Sequence, residues 1–176
     1  MPNIISSREV FRGRVFNIRA DKVALPDGVT HTWEIVEHTG GVAMLPLDAD
    51  GNVYLIRQYR HAAGDSILEV PAGTVEPAEE PSLTAARELR EEIGMQADTL
   101  ELLGRFFVAP GYSSELMHLY LATGLSHAPL PGDADEQIEV VPMQLEAVYA
   151  MLAAGEIRDS KTALALLLYR ARAGQS

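Results

Sequence analysis

The segment Gly73–Met95, "GTVEPAEEPSLTAARELREEIGM", constrains the chain more than any other. Pro81 stands where a first helical position belongs, because its missing N–H is one that a helix start leaves unpaired anyway, and Gly94 stands where a helix stops. Between them Leu83, Ala86, Leu89 and Ile93 recur at three- and four-residue steps. That is the stripe of an amphipathic helix, which needs an apolar surface to lie on. Glu88, Glu91 and Glu92 crowd another third of the circumference at about 100° per residue, and carboxylates three and four apart repel. The fold must therefore offer a sheet to one side of this helix. To the other it offers either solvent or a cation.

The flanks supply strands. From Val10 to Glu37 the pattern reads as two or three of them, with "RVFNIRADKVAL" and "THTWEIVEH" on either side of the turn signal "PDG". "GGVAMLPL" and "NVYLIRQYR", across "DADG", read as a second hairpin, and residues 67–75 as a short strand entering a glycine-containing loop. "LELLGRFFV", "LMHLYLATGL" and "IEVVPM" follow as strands, and residues 145–154 and 160–171 as helices. A mixed sheet with helices packed on it, in the α+β or α/β/α sandwich class, accounts for this order. There is no linker, repeat or low-complexity segment, so the reading is of one domain.

At 176 residues the chain is long enough to bury a sizeable core, and 47% hydrophobic with 22% charged residues is the composition of a globular protein. A net charge of -11 repels polynucleotide backbones, so no nucleic-acid partner is expected, and small anionic substrates need local arginine or metal. The absence of cysteine excludes disulfides, thiolate metal sites and a cysteine nucleophile, and fits a cytoplasmic location. No apolar leader stands at the N-terminus, and the longest apolar run, Ala163 to Leu168, is too short to span a bilayer, so no membrane association is expected.

Three glutamates on one helical face supply the hard oxygen ligands that Mg²⁺ or Mn²⁺ prefers. Glu79 sits in the preceding loop within reach, and Gly73, after "VPA", leaves the Ala72 carbonyl unobstructed. A solvated acidic face is the other reading. The longer spacing decides between them. Gly73, Glu79, Arg87-Glu88-Leu89, Glu91-Glu92, Gly94 and Met95 match all nine specified positions, over 23 residues, of G-x5-E-x7-R-E-U-x-E-E-x-G-U, where U is apolar. On these residues the chain resembles the Nudix hydrolases.

That resemblance implies a loop–helix–loop within an α/β/α sandwich, residues 41–176 as the hydrolase domain and residues 1–40 as an N-terminal antiparallel β extension of it. It implies metal-dependent hydrolysis of a nucleoside diphosphate linked to another moiety. Carried over by position, Glu88 and Glu92 are the principal metal ligands, Glu91 shares or bridges the ions, and the Ala72 carbonyl completes the set. Arg87 holds a glutamate in place by ion pairing, and Glu79 is an accessory acidic group. A box with every position kept implies an active enzyme rather than a sensing module that binds without cutting.

Outside the box, Pro110 stands fifteen residues past Met95 in "FVAPGYSSE". Pro110, Gly111 and Glu115 are similar to the Ser-Pro-Gly-x-x-x-Glu loop of the ADP-ribose pyrophosphatase subfamily, with Ala109 in place of the serine, although a Pro-Gly turn between strands is a plainer reading. "WEIVEH", "RQYR" and "DEQIEV" extend the likeness. It implies cleavage of ADP-ribose to AMP and ribose 5-phosphate, with GDP-mannose or another nucleotide sugar as the alternative. Arg60, and less directly Arg57, are the candidates for the diphosphate; both are otherwise solvated strand-end arginines. Trp33 is either a core residue or a platform for adenine, with Glu34 accepting from the amino group. Similar enzymes are homodimers in which the N-terminal sheet reaches the neighbouring subunit. For the catalytic base two carboxylates compete, Glu136 in "LPGDADEQIEV" and Glu115, with Asp133, Asp135 and Glu139 close by; Glu136, next to a strand, is preferred.

Overall fold

The N-terminal segment forms three antiparallel strands, β1 (Asn3–Arg12), β2 (Asn17–Ala24) and β3 (Thr30–Glu37), in the computed structural model, which describes residues 3–132 and 136–174. The first strand begins earlier than the sequence pattern indicates. The "PDG" turn closes β2 onto β3: Leu25 N–H donates to the Val29 carbonyl at 2.8 Å, and Gly28 takes φ +86, where a side chain would be strained. With residues 105–117 these strands form one of two compact units. Val36 exchanges hydrogen bonds with Tyr112 and Ser114 of that segment, at 2.7 and 3.0 Å. Drawing the extension as residues 1–40 leaves this segment out.

The second unit comprises residues 42–104 and 118–176. It contains β4 (Gly41–Pro46), β5 (Asn52–Arg60), β6 (Asp65–Glu69), β7 (Ala72–Thr74), β8 (Met95–Phe107), β9 (Leu116–His127) and β10 (Ile138–Gln144), with helices α1 (Pro81–Glu92), α2 (Leu145–Ala153) and α3 (Ser160–Ala173); β4, β8 and β9 run past its edges. The strands make two sheets, in the orders β7-β4-β9-β8 and β10-β5-β6. β4 is buried at every position, as a strand covered on both faces must be apolar throughout. The "DADG" turn forms as expected, but its strands part into different sheets and share a single antiparallel bridge, Leu47 to Val53. Val42 and Met44 of β4, Ile56 of β5, and Tyr120 and Ala122 of β9 pack with Ala85, Leu89 and Ile93 into one core. That core is what fixes α1. The arrangement is the α+β class with a mixed sheet and N-terminal antiparallel strands.

Candidate active site

Pro81 opens α1 as its first turn and Gly94, at φ +70, turns the chain out of it. The helix is rotated from the face its apolar residues mark out. Leu83 is exposed and Ala86 half-buried, while Ala85, Leu89 and Glu92, at four- and three-residue steps, face inward. The small Ala85 lets the helix lie close to the sheets, and this rotation carries Glu88 and Glu92 to the edge of the buried side.

Glu92 is only 7% exposed, and its Oε2 accepts the Ala72 N–H at 2.8 Å. Burial, with the charges of Glu88 and Glu136 adding to it, pushes its carboxyl up to about 8 against the pull of that N–H. Glu88 rises to about 6, again chiefly by burial, with Glu91 and Glu136 adding and Arg87 opposing. The Glu88 side chain lies directly on the backbone of Gly73: a β-carbon there would stand 2.1 Å from its Cδ and Oε1. Glycine at this position makes room for the carboxylate. Ala72 meets the site through its N–H, on Glu92.

Arg87 ties the loop to the helix. Its Nη1 donates to Glu88 Oε1 at 2.9 Å and to Glu91 Oε2 at 2.7 Å, and its Nη2 lies 3.3 Å from Glu79 Oε2. Burial opposes the arginine's charge, but Glu79, Glu88 and Glu91 together raise its pKa. Glu79 is held below the usual carboxylate range by Arg87. The carboxylates are thus paired off rather than gathered round one point, and among the described residues no three His, Asp or Glu side chains already form a cage. Their chemistry nonetheless fits a divalent cation. Glu92 is buried and Glu88 half-buried one turn away, and burial, the largest cause, raises both carboxyls, so a cation bound beside them would favour their charged, ligating forms.

Arg57 and Arg60 leave β5 in different directions. Arg57 pairs with Glu139 at 3.5 Å on an open rim. Arg60 forks onto Glu69, with Nε to Oε1 at 2.8 Å and Nη2 to Oε2 at 3.0 Å, and the Glu92 charge adds to the raising of its pKa. Glu69 is only 2% exposed and also receives Lys161 Nζ. Burial pushes the Glu69 pKa up, yet Arg60 and Lys161 outweigh it and hold the group below its ordinary value. Lys161 bonds Asp159 at 2.9 Å; Asp159 caps α3 through the Thr162 N–H, also at 2.9 Å. Sequence reasoning passes over Glu69 and Lys161. The signal was there: a carboxylate inside the apolar run "ILEVP" has to find a partner.

Glu136 precedes β10, whose first residue, Ile138, pairs with Gln58 of β5, and its charge raises both Glu88 and Glu92. Asp133 and Asp135 lie outside the described residues. Trp33, Glu34, Gly111 and Glu115 belong to the other unit. Trp33 is 43% exposed on β3 and so is not core; Glu34, its neighbour, leaves the strand on the opposite face. An added β-carbon at Gly111 would meet nothing within 4 Å, and the Glu115 N–H donates to Ser113 Oγ at 3.2 Å.

The model of the NUDIX domain matches residues 37–166, and that of the nucleoside diphosphate sugar hydrolase N-terminal domain matches residues 3–36. Two curated relatives are each 37% identical over 92% of this chain and 89% of their own: the methanol dehydrogenase activator of Bacillus methanolicus and the ADP-ribose pyrophosphatase of Bacillus subtilis. The crystal structure of an ADP compounds hydrolase superposes with a TM-score of 0.88 at 28% identity, over 99% of this chain and 96% of that one. With the NUDIX domain matched from Glu37 to Leu166, inside α3, the chain belongs to the Nudix family.

Proposed function

We propose that the protein hydrolyses the diphosphate of ADP-ribose, releasing AMP and ribose 5-phosphate. One observation carries the hydrolytic reading: Glu88 and Glu92 stand one turn apart on α1, one against Gly73 and the other on the Ala72 N–H, and burial raises both carboxyls. Enzymes of this family depend on divalent metal, and Glu88, Glu92 and Glu91 are the residues that would hold it, Mg²⁺ or Mn²⁺, with Ala72. When bound, such an ion neutralises the pyrophosphate oxygens and lowers the pKa of water. Arg87 orients Glu88 and Glu91, Glu79 anchors Arg87, and Arg60 binds the diphosphate. Arg57 stands at the rim beside it. Glu136 takes the proton of the attacking water, since its charge already reaches the box carboxylates. Trp33 stacks on adenine, and the Gly111 loop with Glu115 borders the substrate.

Support for ADP-ribose comes from the relatives whose names carry it and from "PGYSSE" and "RQYR". The Bacillus subtilis enzyme matches along nearly the whole chain, extension included. We place the enzyme in the cytoplasm as a homodimer. The test is a panel of ADP-ribose, GDP-mannose, NAD and ATP with Mg²⁺, with products separated by chromatography. ADP-ribose should give the highest kcat/KM, and excess EDTA should abolish turnover. A preference for GDP-mannose would move the enzyme to another nucleotide sugar, and activity persisting in EDTA would remove the metal.

A further inference from the structure

Glu69 and its two cations are not symmetrical. In the β5–β6 pairing Asp65 stands opposite Arg60, and Glu69 stands opposite Ile56. Arg60 therefore reaches Glu69 only by folding back along its own strand, past the buried Gln58. Its side chain is 39% exposed, whereas that of Lys161 is 17% exposed and fixed from both sides. On one side Lys161 bonds Asp159, which is itself held by the Thr162 N–H and, at 2.5 Å, by Thr162 Oγ1. On the other, Val70 N–H donates to that same Thr162 Oγ1 at 2.8 Å, fixing the strand end that carries Glu69. One cation is an arm laid back on its strand; the other is built in.

A buried carboxylate stripped of its partner is strongly destabilising. Were Arg60 the sole counter-ion of Glu69, turning its guanidinium to a substrate anion would leave such a charge behind. We propose that Lys161 is a positioning residue for substrate binding: it stays on Glu69 as counter-ion and so frees Arg60 to turn from Glu69 to the diphosphate of the nucleotide sugar. This rests on the reading of Arg60 as the diphosphate ligand. Lys161 does not touch the substrate; it sets how readily Arg60 can.

The test uses the full chain with Mg²⁺ and ADP-ribose at steady state. Lys161→Met should raise KM about tenfold, the equivalent of about 1.4 kcal/mol, with kcat changed by less than about twofold. Lys161→Arg should restore it. The decisive variant is the pair Glu69→Gln with Lys161→Met, in which no charge is left stranded: its KM should return to within about twofold of wild type. A KM for Lys161→Met equal to wild type, or one that the added Glu69→Gln does not restore, overturns the proposal. So does a fall in kcat alone, which reports fewer folded molecules. Should Lys161→Met not fold, Lys161→Gln takes its place, and insolubility of both assigns Lys161 a structural role only. Arg60→Gln, run in parallel, separates the two ideas. An unchanged KM there removes Arg60 from the diphosphate, and a raised KM beside a silent Lys161→Met removes Lys161 alone.

Discussion

At Glu92 binding chemistry and stability of the fold pull against each other. Its carboxyl titrates near 8 in the folded chain against about 4.5 in the unfolded one, so the fold favours the protonated form. A raised carboxyl contributes stability below the unfolded value and loses it as pH climbs through the folded one; metal-free protein should therefore weaken between about pH 4.5 and 8. Glu92→Gln removes this loss. In EDTA the variant should match wild type near pH 5 and melt several degrees higher near pH 8, each kcal/mol being worth about 2–4 °C at this chain length. With Mg²⁺ the same variant should lose about a hundredfold or more in kcat, because an amide neither neutralises nor ligates as a carboxylate does. Calorimetry across pH and steady-state rates check the two halves, and full activity would take Glu92 out of the ligand set. The neighbouring Gly73 shows what spacing alone conveys. Its place in the box is legible in the sequence, but its reason, a carboxylate lying where a β-carbon would be, depends on how α1 is docked.

Among the elements, α1 divides into a legible part and a hidden one. Pro81 and Gly94 act locally, so its ends can be read directly. Its inward face is set by tertiary docking, which buries Ala85 and Glu92 and leaves Leu83 in solvent. Apolar identity alone places Leu89 and Ile93 correctly in the core and misplaces Leu83. The turn at Asp48–Gly51 is likewise local and legible, since Asp48 Oδ1 caps the Asp50 and Asn52 N–H groups at 2.9 and 2.8 Å. The parting of β4 and β5 is not, because it depends on β4 pairing with β7 and β9 and on β5 pairing with β10, well beyond the turn, as well as with the adjacent β6. The segment entering β10 carries the catalytic expectation. Glu136→Gln should lower kcat with little change in KM and flatten the acidic limb of the pH–rate profile, while Glu115→Gln should act on KM. The reverse pattern would exchange their roles, and two silent variants would leave the proton to a glutamate of the box.

For the whole molecule, the N-terminal unit exposes what a monomer ordinarily hides. Ile4, Ile5, Val10 and Phe11 of β1 are each at least half exposed, on the edge strand of a three-stranded sheet. An exposed apolar edge of this kind is a pairing surface. We expect wild type to sediment as a dimer at micromolar concentration and Ile5→Asp to sediment as a monomer with a raised KM. A monomeric wild type would remove the dimer. The half-exposed indole of Trp33 has a consequence of another kind. It is the only tryptophan in the chain, and it stands on β3 while the box glutamates stand on α1. Intrinsic emission excited at the red edge of the ultraviolet is therefore a built-in optical probe of the N-terminal unit alone. Far-ultraviolet dichroism, by contrast, is weighted toward α1, α2 and α3. Recorded together during denaturation, the two signals follow the two units separately, without any label.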